Sequence, residues 1–117
     1  MVEQPYVPDT GDIVWLTFTP QAGHEQAGRR PALVLSPRSY NEKTSLALFC
    51  PITCRIKGYP FEVVLPGTGP ITGVVLADQI KSLDWRARRI RFASQVPPRV
   101  LGEVLAKLTV LLDQDSS

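Results

Sequence analysis

Residues 23–37 read GHEQAGRRPALVLSP, and the change of character inside this stretch decides the fold. Up to Arg30 it is polar and carries the only histidine of the chain, His24; from Ala32 it runs ALVLS, apolar at nearly every position. Five such residues are too few for a helix and read as a strand, 32–36, buried on both faces. Arg30 stands directly before Pro31, which holds the arginine in extended backbone at the entry to that strand. The polar half then belongs to a long loop, 19–30, broken by Pro20, Gly23 and Gly28. Loops of this length in a small domain are more often functional than not.

The rest of the chain repeats the pattern of short apolar runs between turn residues. DIVWLTF (12–18) is β-branched and aromatic and reads as a strand before the loop. PRSYNEK (37–43) reads as a turn or one helical turn. Further strands are expected at 45–53, 59–65, 73–80 and 88–92, with PGTGP (66–70) a turn. Pro51 inside the third strand predicts an edge position or a bulge. From Pro98 the apolar residues Val100, Leu101, Val104, Leu105, Leu108, Leu111 and Leu112 recur at helical spacing. Pro98 suits a first helical turn, and Gly102 suggests a close approach to a neighbour. The expected architecture is mainly β, a barrel of five to six short strands with a C-terminal α-helix over one mouth. At 117 residues, 1–117 is expected to be one domain.

Charge is unevenly placed. Between Arg29 and Arg91 there are eleven Lys/Arg and four Asp/Glu, a local charge of +7, whereas the flanks carry two and seven. A basic middle suggests a basic face for a polyanion. Four arginines behind a tryptophan in DWRARRIR (84–91) fit single-stranded nucleic acid, where bases stack and phosphates are neutralised. The alternative is an arginine-rich edge strand with Trp85 in the core. The N-terminus lacks a signal-peptide pattern and no run is long enough to span a membrane, so a cytoplasmic protein is expected. Cys50 and Cys54, if on one strand, lie about 13 Å apart at ~3.3 Å per residue. A disulfide needs Cα atoms within about 7 Å. Two buried structural thiols are expected, and neither a metal nor any other cofactor is.

Chemistry concentrates in the opening stretch. A fixed guanidinium at Arg30 can hold a phosphate with two hydrogen bonds. His24 and Glu25 are candidates for proton transfer. Thr53, at the end of CPIT, can donate to a phosphoryl oxygen or satisfy a backbone group.

These residues also carry a resemblance. YVPDTGDIVWLTFTP, GHEQAGRRPALVLSP, CPIT, KGYPFEVVLP, GVVLADQIKS and DWRAR lie in the order and spacing of the MazF/PemK-like toxin family, on its MazF side. The resemblance implies an SH3-like barrel and a homodimer. It implies a metal-independent endoribonuclease that cuts single-stranded RNA at a short sequence, leaving 2′,3′-cyclic phosphate and 5′-hydroxyl ends. It places the family's catalytic groups on Arg30, Thr53 and Glu25, with His24 as an accessory. RNA contacts are expected at Phe18, Gln26, Arg29, Lys57, Asp78, Gln79, Lys81 and Arg86. PemK-type toxins carry arginine where this chain has Leu76, so their Arg-and-Asp mechanism is not expected. The implied partner is a MazE-like antitoxin with an acidic or disordered tail. Two other classes remain open from the residues: a nucleic-acid-binding regulator without turnover, and a CcdB-like gyrase-poisoning toxin.

Overall fold

The computed structural model describes residues 5–18 and 28–113. Seven strands and two helices follow in the order β1 (Asp12–Phe18), β2 (Gly28–Val34), α1 (Arg38–Thr44), β3 (Leu46–Thr53), β4 (Glu62–Val64), β5 (Val74–Leu76), β6 (Lys81–Asp84), β7 (Arg91–Gln95) and α2 (Pro98–Leu112). All pairings are antiparallel, in the order β4-β5-β3-β2-β1-β7, with β6 also on β3. The sheet is mainly β as expected, but it has seven strands and its two ends do not pair to close a barrel.

Strand β1 takes the expected bounds. Strand β2 begins four residues before the apolar run, because Gly28, Arg29 and Arg30 pair through their backbones with Phe18, Thr17 and Leu16. Backbone pairing is indifferent to the polarity that marked these residues as loop. The run expected as one strand over 73–80 holds only β5; a 3-10 turn at Ala77–Gln79 ends it, and β6 begins beyond it at Lys81. The last strand lies at 91–95, beyond an arginine-rich turn in which Arg89 adopts φ 53.

Pro51 is neither on an edge nor in a bulge. It lies in β3, the most connected strand, opposite Ala32 of β2. The Leu48 carbonyl accepts from the Leu35 N–H, so Leu48 and Cys50 turn their amide groups toward β2. Pro51, one residue out of phase, turns its missing donor to the other side. There the chain passes from β5, paired to Ile52 and Thr53, to β6, paired as far as Phe49. The proline falls in the gap between two ladders and forfeits no bond.

Two apolar clusters fill the two sides of the bent sheet. Ile13, Leu33, Cys50, Ile52, Val63 and Val75 pack with Val100, Val104 and Leu108 of α2. Val14, Leu16, Phe18, Ala32, Val34 and Phe49 pack with Trp85. Trp85 is therefore a core residue, its Nε1–H donating to the Asn41 carbonyl. Asn41 is fully buried; its side-chain amide donates to the Pro8 and Ser36 carbonyls and accepts from the Ser36 hydroxyl. That network ties α1 to the N-terminal segment. On α2 the stripe is only partly used: its Leu105, Leu111 and Leu112 are exposed, as is Val110 outside it. A Cβ at Gly102 meets nothing within 4 Å, so no close approach occurs there. No helix among the described residues is long and apolar enough to cross a membrane.

Candidate nucleic-acid site

Pro31 also determines where the sheet opens. With Leu33 opposite Cys50 and Leu35 bonded to Leu48, the odd residues of β2 turn their amides toward β3. Pro31 comes next in that phase and has no N–H to give to β3. The β2–β3 pairing stops at Ala32↔Pro51. Beyond it the start of β2 and the end of β3 border a cleft of about 320 Å³. Arg29, Arg30 and Pro31 form one wall, Ile52, Thr53 and Cys54 another, with Trp15 and the turn residues Pro70, Ile71 and Thr72 completing it.

By the two-residue period of a strand, Arg30 and Thr53 continue the facing pair Ala32 and Pro51 on one side of the sheet. Residues far apart in sequence are thereby brought into one cleft. Thr53 is buried, and its Oγ1 accepts from the Arg55 N–H at 3.1 Å. Using the oxygen as acceptor fixes the rotamer and leaves the hydroxyl proton to be donated elsewhere. Gly73, with φ +114, lies against the Thr53 backbone; a Cβ there would stand 2.3 Å from the Thr53 carbonyl oxygen. Arg29 is exposed and donates from Nη2 to the Arg89 carbonyl at 3.0 Å, which holds its guanidinium over β1 toward β7.

Other expected contacts are distributed around this cleft. Glu25, Gln26 and His24 lie outside the described residues. Phe18 is 1 % exposed and packs in the core with Leu16 and Phe49, so it presents no ring to a ligand. Lys57 is exposed after β3, its ammonium 5.6 Å from the Tyr59 ring centroid and its N–H bonded to the Glu62 carboxylate. Asp78 and Gln79 occupy the 3-10 turn, and Lys81 opens β6 opposite Phe49. Arg86 stacks 4.3 Å over the Trp85 ring and donates to the Glu42 carbonyl. The turn carrying it is fixed by Asp84, whose carboxylate accepts from the Ser45 hydroxyl and the Arg86 N–H. The Ser45 bond is the main reason that the Asp84 pKa is lowered.

The thiols divide. Cys50 is buried and pushed up to about 12, by desolvation first and the Asp78 charge second. Cys54 is exposed at the cleft, which corrects the expectation of two buried thiols; it is the first residue past β3. Trp15, Pro70, Ile71 and Thr72 are cleft residues that the sequence did not single out. For Trp15 the available signal was alternation, since it faces away from Val14 and Leu16 on β1.

A family model described as "PemK-like, MazF-like toxin of type II toxin-antitoxin system" matches residues 9–112. The chain belongs to the PemK-like, MazF-like toxin family. The endoribonuclease toxin MazF of Escherichia coli (strain K12) is 53% identical over 107 residues, covering 92% of this chain and 96% of that one. A crystal structure of MazF from Deinococcus radiodurans superposes with a TM-score of 0.89 at 61% identity, covering 92% of this chain and 98% of that one. A MazE-MazF structure from the same organism gives a TM-score of 0.83 at 55% identity, with 92% and 97% covered. The fold described above is thus shared with these solved MazF structures.

Proposed function

We propose that this chain is the endoribonuclease toxin of a type II toxin–antitoxin pair and cuts single-stranded RNA at a short sequence, without a metal. The observation that carries this reading is the cleft that joins Arg30 and Thr53 in a chain whose relatives are named endoribonucleases. The reaction is an internal transesterification. The 2′-oxygen attacks the neighbouring phosphorus, the bond to the 5′-oxygen breaks, and the ends are a 2′,3′-cyclic phosphate and a 5′-hydroxyl. Arg30 supplies paired N–H donors and a positive charge to the phosphorane. Thr53 donates its hydroxyl proton to a phosphoryl oxygen and so places the scissile phosphate. Glu25 takes the 2′-hydroxyl proton. The leaving 5′-oxygen takes a proton from solvent water beside Arg30, with His24 as an accessory group.

The same reading includes a MazE-like antitoxin whose acidic tail competes for the basic cleft, and a cytoplasmic site of action. It also includes a homodimer, supported by the exposed Val64, Leu105, Val110, Leu111 and Leu112. Light scattering at micromolar concentration is expected to give twice the chain mass. The deciding experiment is incubation with mixed-sequence single-stranded RNA in EDTA. Cleavage with new 5′-hydroxyl ends is expected for the wild type, reduced at least ~100-fold in Arg30→Ala, the scale of losing one oxyanion-type donor. Undiminished cleavage in that variant removes Arg30 from the mechanism, and intact RNA with the wild type removes the reading.

A further inference from the structure

A second cleft adjoins the first. It has a volume of about 450 Å³ and runs across β2, β1 and β7, lined by Trp15, Arg29, Pro70, Ile71, Arg91, Phe92 and Ala93. Four of these residues, Trp15, Arg29, Pro70 and Ile71, also line the cleft of Arg30 and Thr53, so the two are continuous. The register fixes how the side chains are disposed. Trp15 is opposite Arg91 on β7 and opposite Pro31 on β2. Arg29 is opposite Thr17, two residues along β1, and so shares the face of Trp15. A partly buried indole is thereby flanked by two exposed arginines. No described carboxylate lines either cleft.

We infer that this second cleft is a nucleotide subsite: it takes the base next to the cleaved bond against the Trp15 indole and that nucleotide's phosphate between Arg29 and Arg91. The inference rests on the endoribonuclease reading and extends it to residues outside the catalytic set. An aromatic face serves any base, and guanidiniums on both sides serve the backbone that enters and leaves it. Continuity with Arg30 and Thr53 favours RNA as occupant, because a strand whose phosphate sits between those two residues must run on along a connected groove. Trp15 and Arg91 are positioning residues here, since neither reaches the reacting atoms.

The test uses a short RNA spanning the mapped cut site, with 2′-deoxyribose at the cleaved residue so that binding is read without turnover. Each nucleotide flanking the cut is also made abasic in turn. Wild type is expected to bind one abasic RNA about tenfold more weakly. Trp15→Leu is expected to bind the intact RNA about tenfold more weakly and to be indifferent to the same abasic change, while Trp15→Phe recovers most of the affinity. Arg91→Gln is expected to reduce the slope of log K against log salt by about 0.7, one phosphate's worth for a single strand. Its turnover number on all-ribose RNA is expected to stay unchanged while KM rises.

Additive penalties for Trp15→Leu and the abasic nucleotide overturn the subsite. So does an unchanged salt slope in Arg91→Gln, which decides alone if Trp15→Leu does not fold. Normal RNA binding with lost affinity for an acidic antitoxin peptide assigns the cleft to the protein partner and likewise overturns it. None of these outcomes touches the cleavage reading, which stands or falls on the wild type and Arg30→Ala with all-ribose RNA.

Discussion

Gly73 and the two cysteines show how single residues set the site. A methyl group at Gly73 would overlap the Thr53 carbonyl in a backbone conformation, φ +114, that side chains disfavour. Gly73→Ala is therefore expected to cost about 2 kcal/mol or more, read as a lower urea midpoint, and to reduce cleavage by displacing Thr53. Cys54 is expected to take an alkylating reagent in the native protein while Cys50 does so only after denaturation, giving one adduct and then two by mass spectrometry. For Cys50 the linkage has a definite sign. Its thiol keeps its proton in the fold up to about 12, whereas an unfolded thiol loses it near the ordinary value of 9.0. Between those values the folded state holds more protons, so stability falls as pH rises through that window and Cys50→Val is expected to flatten the fall. Arg30 was legible at this scale from its place before Pro31. Trp15 was not, because a tryptophan in an apolar strand reads as core until the cleft beside it is known.

The elements were legible where polarity and backbone pairing agree. DIVWLTF is uniformly strand-like and forms β1 with the expected bounds. The reading failed where they part. Arg29 and Arg30 are strand residues by pairing and loop residues by polarity, while GVVLADQI reads as one strand but leaves the ladder in a 3-10 turn after Leu76. Pro51 was misplaced because a central strand can hold a proline wherever two neighbours exchange along its flank. In α2 the helical period located the element but not which part of the stripe is covered: Val100, Val104 and Leu108 are buried, and the outer leucines are not. Two opposite shifts in stability are expected there. Leu108→Ala is expected to cost about 2–5 kcal/mol by opening a cavity. Gly102→Ala, with open space around its Cβ, is expected to add about 1 kcal/mol through helix propensity. Thermal or urea denaturation of the two variants measures both.

Across the whole molecule the charge asymmetry becomes a surface property. The adjacent Arg29 and Arg30 and the distant Arg91 together border two connected clefts, while Arg86 packs on Trp85 at a separate turn. RNA affinity is expected to fall linearly in log–log plots against salt, each phosphate contact contributing about 0.7 to the slope. Fluorescence anisotropy across a salt series measures it. The juxtaposition itself was beyond the sequence, since it depends on where β2 and β3 part. One consequence concerns the segment between β1 and β2. Phe18 and Gly28 face each other as the last pair of that hairpin, so the sheet itself holds both ends of the connection. Lengthening such a connection costs little, roughly 0.6 kcal/mol for each doubling. Residues can therefore be added between these anchors at small cost in stability, and as long as Glu25 is kept the paired strands that present Arg30 and Thr53 stay the same.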